Sequence, residues 1–456
     1  MKYKDFFRGL IDSITTRKLS APLAAVGVTQ ADRAVADMET LAWELLSSRG
    51  ESSGVARAAF LLNCYEEASS ERRLAFLIAL ADRFGPDADQ IQFALVALQN
   101  GASMKELSKL LYSLEPKRQE LIRRLNLAPG GTASLVRMRE DVIEYLPRHP
   151  ELDALDADFQ HLFGSWFNRG FLVLRRIDWS TPAEILEKII RYEAVHAIQS
   201  WDDLRGRTNP IDRRCFAFFH PALPDEPLIF VEVALTTQMP AAIGPLIEVP
   251  RCPINPAEAT TAVFYSISSC QKGLAGISFG NFLIKQVVDD LRSEFPRLET
   301  FVTLSPVPAF ASWLGSDSAR KLLGRKGIDL DTFLLKLDAQ DWARSSDTAA
   351  DLTPTFLAAA ATFMLEAKTP RGRSIDPVAR FHLGNGARLE RLNVLADLSS
   401  NGLKQSHGLM VNYKYVLEDI ERNHELFAEK STVVASPEIH SALGAEKTPL
   451  RKRVGA

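Results

Sequence analysis

Residues 262–295 read AVFYSISSCQKGLAGISFGNFLIKQVVDDLRSEF, and the fold class turns on them. The opening AVFYSISS is rich in β-branched and aromatic residues, the composition of a buried strand. A loop with Gly273, Gly276 and Gly280 follows. Phe279, Leu283, Val287, Leu291 and Phe295 then recur every four residues, which is one face of an amphipathic helix. Strand, glycine-bearing turn and helix in succession form an α/β unit. Glycines let a backbone approach a ligand closely, and a helix start offers unpaired N–H groups to an anion such as a diphosphate. A turn whose glycines serve only packing fits the same residues equally well. Neither GxxxxGK[ST] nor GxGxxG is present.

Downstream, TFVTLSPVPAF (300–310) sets Ser305 at the end of a strand-like run, with Pro306 and Pro308 stiffening the chain beyond it. Further strands are expected at 171–179, 213–220 and 227–235, each bounded by Pro, Gly or Asp. Helices are expected at 182–198, 280–295, 329–339, 354–367 and 407–427. Upstream of residue 166 the pattern is helix after helix (72–84, 90–98, 104–114, 116–127 and 133–145) with almost no strand signal. The reading is therefore an all-α N-terminal domain (1–158), an α/β or α+β domain (159–429) and a loosely ordered tail (430–456).

Composition bounds the function. At 456 residues the chain is long for one core. A formal net charge of -3 gives no electrostatic reason to expect nucleic acid or an anionic membrane as partner. No apolar run approaches a membrane span, and the first residues lack the apolar core of a secretory signal. Cys64, Cys215, Cys252 and Cys270 form no CxxC pair, which argues against a zinc site or disulfide framework and fits a reducing cytoplasm. The eight histidines show no metal-ligand spacing. His382 stands out by its place just before an Asn385-Gly386 turn that opens an amphipathic stretch. Ser305 and His382 together suggest acyl chemistry, although no GxSxG elbow surrounds the serine.

The glycine loop resembles the coenzyme A pyrophosphate loop of GNAT-type acyltransferases, Gln/Arg-x-x-Gly-x-Gly/Ala. Gly273 and Ala275 match its last two places, while the first falls on Cys270, with Gln271 one residue late. A wider likeness covers 171–429. YEAVHAIQSWDDLRGR (192–207), EPLIFVEVALT (226–236), the 262–285 block, EFPRLETFVTLSPVPAF (294–310), FHLGNGARLERLNVLADLS (381–399) and GLMVNYKY (408–415) are similar, in order, to malonyl-CoA decarboxylases.

That resemblance implies a helical domain before a GNAT-like catalytic domain, and conversion of malonyl-CoA to acetyl-CoA and carbon dioxide without metal, biotin or other cofactor. It implies Ser305, His382 and Tyr415 as catalytic residues. It also implies a coenzyme A-binding set of Gln271, Gly273, Ala275, Gly276, Ile277, Ser278, Phe279, Gly280 and Asn281. Relatives can carry glutamate where this chain has Ser278. The family forms oligomers, so a homotetramer is expected, with His382 as a proton donor titrating near neutrality. An acyl-CoA acyltransferase and a non-catalytic acyl-CoA sensor are the rival readings.

Overall fold

A computed structural model describes residues 38–444, apart from 48–49, 102, 104, 106–107, 109–113, 249–250, 278–282, 339–341 and 344. The chain divides into two compact units. Among the described residues the first holds 38–172 with 220–226 and 271–277, and the second holds the rest.

In the first unit the helices expected at 72–84, 90–98, 116–127 and 133–145 form as α3 (Ser70–Arg83), α4 (Ala88–Gln99), α5 (Lys117–Asn126) and α6 (Gly131–Tyr145), alongside α1 (Met38–Ser47), α2 (Glu51–Glu66) and α7 (Asp153–Trp166), which the sequence did not mark one by one. Most of the helix expected at 104–114 lies outside the described residues. α3 illustrates the local logic. Ser69 caps it by accepting the Arg72 N–H, and Phe76, Leu77 and Leu80 bury one stripe. Arg118 pairs with Asp158, and Arg139 with Asp156 at 2.8 Å, so buried guanidinium groups are matched by carboxylates. α7 runs unbroken through residue 158, which moves the expected boundary at 158/159 to the end of that helix. Phe159 and Phe163 on its inner face are fully buried, and cutting there would open the core.

The second unit is built on a mixed sheet: β1 (Val173–Ile177), β2 (Arg213–Phe219), β3 (Ile229–Thr236), β4 (Thr261–Ser269), β5 (Thr300–Thr303), β6 (Ser305–Pro306), β7 (Arg388–Asn393) and β8 (Met410–Lys414). The order is β1-β2-β3-β4-β5-β8-β6, with β7 also paired to β8. Every pairing is antiparallel except β4 with β5. A parallel pair needs a crossover, and α10 (Leu283–Glu294) supplies it, burying Leu283, Val287 and Leu291. Nearly every residue of β2, β3 and β4 is buried, as expected of strands covered on both faces. On one face α8 (Ala183–Tyr192) packs Ile185, Leu186 and Ile189 against Cys215, Ala217, Phe219 and Phe230. α9 (Trp201–Thr208) follows it.

Four expectations change. The helix expected at 182–198 stops at Tyr192, because Glu193 turns extended and its carboxylate accepts the N–H groups of Val195 and His196 and the hydroxyls of Ser266 and Ser268. No helix spans 407–427: His407 (φ +50°) and Gly408 (φ +82°) end the preceding helix, and β8 and then α12 (Ile420–Lys430) take over the stretch. The tail expected to be loose is packed over its described part. Leu389 pairs with Ala435, Ser436 caps the helix Pro437–Ala442, and Ile439 is buried. Finally, the helix Ser346–Leu365 is long and apolar enough to cross a membrane. In this fold it buries Phe356, Ala359, Ala360, Ala361 and Met364 in the core.

Candidate active site

β4 and β5 run side by side only as far as Phe264 and Thr303, and the Leu304 N–H to the Phe264 carbonyl is the last bond between them. Beyond that point β4 bulges at Tyr265, which has no partner on β3 between the pairs Phe264–Val233 and Ser266–Glu232. The other chain passes to β8 instead, with Ser305 opposite Val411 and Pro306 opposite Met410. The serine read at the end of a strand-like run thus sits in a short paired strand of its own. A pocket of about 230 Å³ lies here, lined by Ile229, Phe264, Ile267, Pro306, Val378 and Phe381, with Ser305 and His382 among its few polar groups. Phe310, five residues on, is locked between Phe356 and Phe363, its ring centroid 5.5 Å from each.

His382 comes from a short helix, α11 (Pro377–Gly384), which periodicity alone did not mark. Asp376 caps it by accepting the Ala379 N–H at 2.9 Å, and Pro377 occupies the first helical position. The second Asp376 oxygen accepts the Ala309 N–H at 3.1 Å. One carboxylate therefore ties the histidine helix to the serine segment. Burial raises the Asp376 pKa despite these N–H donors. The Asn385-Gly386 turn read from the sequence ends α11. Gly386 has φ +78°, and a Cβ there would lie 2.1 Å from the Ile420 carbonyl oxygen, so only glycine fits.

The three catalytic candidates meet. His382 Nε2 lies 3.0 Å from Ser305 Oγ, and Nδ1 lies 2.9 Å from Tyr415 Oη. All three residues are buried. The Tyr413 ring stacks on the imidazole at 4.7 Å between centroids and 26° between planes. The Ser305 hydroxyl also lies 2.8 Å from that of Thr303, whose oxygen accepts the Tyr413 N–H at 3.2 Å. Asn412 donates to the Thr303 carbonyl at 2.8 Å, fastening β8 to β5 behind the site. Thr303, Asp376 and Tyr413 were not singled out from the sequence. Asp-Pro ahead of an apolar run was the available signal for Asp376, whereas Thr303 and Tyr413 carry no local one.

Electrostatics corrects one expectation. Burial lowers the His382 pKa from 6.5 to about 3, so the ring is neutral at pH 7 rather than titrating near neutrality. The end of a helix favours a cation, but among the described residues no carboxylate pairs with this ring and desolvation wins. Burial likewise pushes the Tyr415 and Tyr413 hydroxyls well above 10. Among the described residues no three His, Cys, Asp or Glu side chains are grouped to hold a metal ion.

The glycine segment after β4 belongs to the helical unit. Lys272–Leu274 form a single 3-10 turn. Gly273 donates its N–H to Glu140 and its carbonyl accepts from Arg139 at 2.7 Å. A Cβ on Gly273 would lie 2.0 Å from the Val136 carbonyl oxygen. That glycine answers to packing against α6. Gly276 is different: it is exposed, with φ +79° and only the Gln160 side chain, 4.0 Å away, near where a Cβ would lie, the geometry of a permissive turn. Gln271, Ala275 and Ile277 flank these glycines, while Ser278, Phe279, Gly280 and Asn281 lie outside the described residues.

Comparison with known proteins identifies the family. A family model described as the malonyl-CoA decarboxylase C-terminal domain matches residues 170–453, and one described as the N-terminal domain matches 84–167. The chain is 36% identical over 405 residues to a mitochondrial malonyl-CoA decarboxylase of Anser anser anser, covering 82% of this chain and 80% of that protein. Identity to the Rattus norvegicus protein of the same name is 35% over 408 residues, covering 82% of each. The crystal structure of malonyl-CoA decarboxylase from Rhodopseudomonas palustris is 57% identical with a TM-score of 0.83, over 89% of this chain and 98% of that one. That from Agrobacterium vitis is 53% identical with a TM-score of 0.84, over 90% and 100%. The two domain matches fall either side of the junction between α7 and β1, and the chain belongs to the malonyl-CoA decarboxylase family.

Proposed function

We propose that this protein is a carboxy-lyase that converts malonyl-CoA to acetyl-CoA and carbon dioxide. The observation that carries the reading is the hydrogen-bonded line Ser305–His382–Tyr415 opening on an apolar pocket, in a chain of this family. An apolar lining strips water from the malonyl carboxylate, and loss of carbon dioxide then leaves electrons on the α-carbon, delocalised into the thioester oxygen. The thioester is the electron sink, so no metal or organic cofactor is needed. Ser305 orients the acyl group and donates to it. A neutral His382 serves proton return to the α-carbon by releasing one proton and taking one back that comes ultimately from solvent, the single proton that loss of carbon dioxide consumes.

The segment from Gln271 through Gly273, Ala275, Gly276, Ile277, Ser278, Phe279 and Gly280 to Asn281 is assigned to coenzyme A. Gly276 supplies its permissive turn, and Gly273 supplies its packing on α6. A homotetramer in the cytoplasm completes the proposal. Phe93, Leu95 and Leu98, each at least half exposed on α4, offer apolar surface for subunit contact. No nucleic-acid or membrane partner is invoked.

Malonyl-CoA alone, with chelator present, should yield carbon dioxide and acetyl-CoA in equal amounts. Ser305→Ala and His382→Asn should each lower kcat by roughly a hundredfold or more. Acyl transfer that requires an amine or alcohol acceptor, or coenzyme A binding without turnover, would refute the proposal in favour of a transferase or a sensor.

A further inference from the structure

The stretch EAKTPRGRSIDPVARFH (366–382) leads into the helix that bears His382, and it is rich in cations: Lys368, Arg371, Arg373 and Arg380. Its carboxylates, Glu366 and Asp376, are both engaged. Glu366 pairs with Lys326 at 2.9 Å, and the two Asp376 oxygens accept the Ala379 and Ala309 N–H groups. Lys368 is turned aside to donate to the Ser431 carbonyl at 3.3 Å. The three arginines remain. Pro370 suits the first central place of a tight turn, and Gly372, at φ +75°, closes it by donating its N–H to the Thr369 carbonyl at 2.8 Å. The Thr369 N–H donates to the Arg373 carbonyl at 2.7 Å and Lys368 pairs with Ser374, so the segment is a hairpin with Arg371 at its tip. Arg380 reaches back from α11, donating from one nitrogen to the Ser374 and Ile375 carbonyls at 2.8 and 2.7 Å. Arg371, Arg373 and Arg380 thereby line one cleft of about 370 Å³ with Thr369 and Pro370.

Among the described residues no carboxylate forms an ion pair with any of these three arginines. Elsewhere on the surface Arg320 has Asp331 at 2.7 Å and Arg388 has Glu390 at 2.6 Å. Like charges drawn into one cleft repel, and an anion seated among them reverses the sign of that interaction. Guanidinium forks match phosphate oxygens, and the Thr369 hydroxyl, which accepts the Arg373 N–H at 3.2 Å, keeps its own proton for such an oxygen. We infer that the cleft is a phosphate-binding site suited to a phosphomonoester, whose three terminal oxygens carry a charge of about −1.5 to −2 at neutral pH. α11 contributes to this cleft and to the acyl pocket alike: Arg380 to the first, and Val378, Phe381 and His382 to the second. Coenzyme A carries one phosphomonoester, on its ribose and remote from the thioester, so the substrate of the proposed reaction brings this ligand with it. A separate phosphorylated metabolite has the same chemistry.

The coenzyme A source rests on the decarboxylase reading, but the phosphate site does not, and calorimetric binding requires no turnover. Wild type should bind coenzyme A roughly 10- to 100-fold more tightly than dephospho-coenzyme A, which lacks only the ribose phosphomonoester. Arg371 and Arg373 are exposed, and their side chains hold no other part of the fold. The double variant Arg371→Gln/Arg373→Gln should shrink that ratio to less than about three-fold, mainly by losing affinity for coenzyme A. Arg320→Gln, outside the cleft, should keep the wild-type ratio. Phosphorus NMR with inorganic phosphate tests the other source. Line broadening that the double variant abolishes, with equal affinity for the two coenzymes, upholds the site and gives it to a separate ligand. A double variant that changes neither the coenzyme ratio nor phosphate binding overturns the proposal. Discrimination between the coenzymes without release of carbon dioxide from malonyl-CoA upholds the site and refutes the decarboxylase reading instead.

Discussion

Protonating His382 should unfold this protein more than it inactivates it. In the unfolded chain the histidine titrates near 6.5, and in the folded protein burial holds it down to about 3. A lowered folded pKa means that the native state refuses a proton that the unfolded state accepts. The stabilising contribution is therefore complete above pH 6.5 and is lost as pH falls from there towards 3. Linkage over the interval from about pH 7.5 to about pH 5 gives a loss of about 2 kcal/mol from this one ring. Other groups titrate in the same range, His196 among them, whose pKa burial lowers to about 4. The useful quantity is thus the difference between wild type and His382→Asn, in which those groups cancel. Equilibrium urea unfolding of both proteins at the two pH values should show wild type losing about 2 kcal/mol more than the variant. Parallel losses would mean that His382 ionises in the folded state near its ordinary pKa, and the neutral-imidazole mechanism would fall with that result. On the same reasoning, kcat of the wild type should show no step near pH 6.5.

Two substitutions probe the supports of the site. Asp376→Ala removes both the cap of α11 and the tie to Ala309, and should cost about 2 kcal/mol in unfolding free energy. Asp376→Asn keeps the cap oxygen but sets an NH2 against the Ala309 N–H. It should be milder in stability, since a buried charge is also removed, yet lower kcat by roughly tenfold as Ser305 and His382 lose register. Wild-type kcat in Asp376→Asn would show that the Ala309 tie positions nothing. Gly273→Ala should lower the thermal midpoint through a clash with the Val136 backbone worth about 3 kcal/mol, and an unchanged midpoint would show that the loop can lift away from α6.

The sequence was most informative where one period ran uninterrupted. The strands at 213–220, 227–235 and 262–269 and the helices at 72–84, 90–98, 116–127 and 133–145 came out nearly as expected because their apolar faces repeat at a constant interval. β7 failed for a definite reason. It carries an irregularity between Leu389 and Arg391, so that Leu389 and Leu392 stand three apart, a helical interval produced by a strand. In β8 the alternation of Val411 and Tyr413 is only five residues long, and apolar residues further along, Val416 and Ile420, complete a false helical spacing. Ser305, His382 and Tyr415 were legible through likeness to a family, and the structure adds their distances. Asp376, Thr303 and Tyr413 act through bonds to residues far away in the chain, and no local pattern encodes such a partner. The His382 pKa was misjudged for the same reason: a sequence shows a histidine but not the solvent excluded from around it.

The pairing of β8 with β5, β6 and β7 sets an order in time as well as in space. Ser305 must find His382 across 77 residues and Thr303 must find Tyr413 across 110, so the site closes only after long stretches of chain have been organised. Loop-closure entropy has to be met before these contacts return anything, whereas the helices of the first unit form from neighbours in sequence. Catalytic competence should therefore be among the last properties to appear as the chain folds. In refolding from urea, far-ultraviolet dichroism should recover ahead of carbon dioxide release, and simultaneous recovery would contradict this order. A chain still being synthesised would carry no partial activity until the eighth strand had emerged and docked.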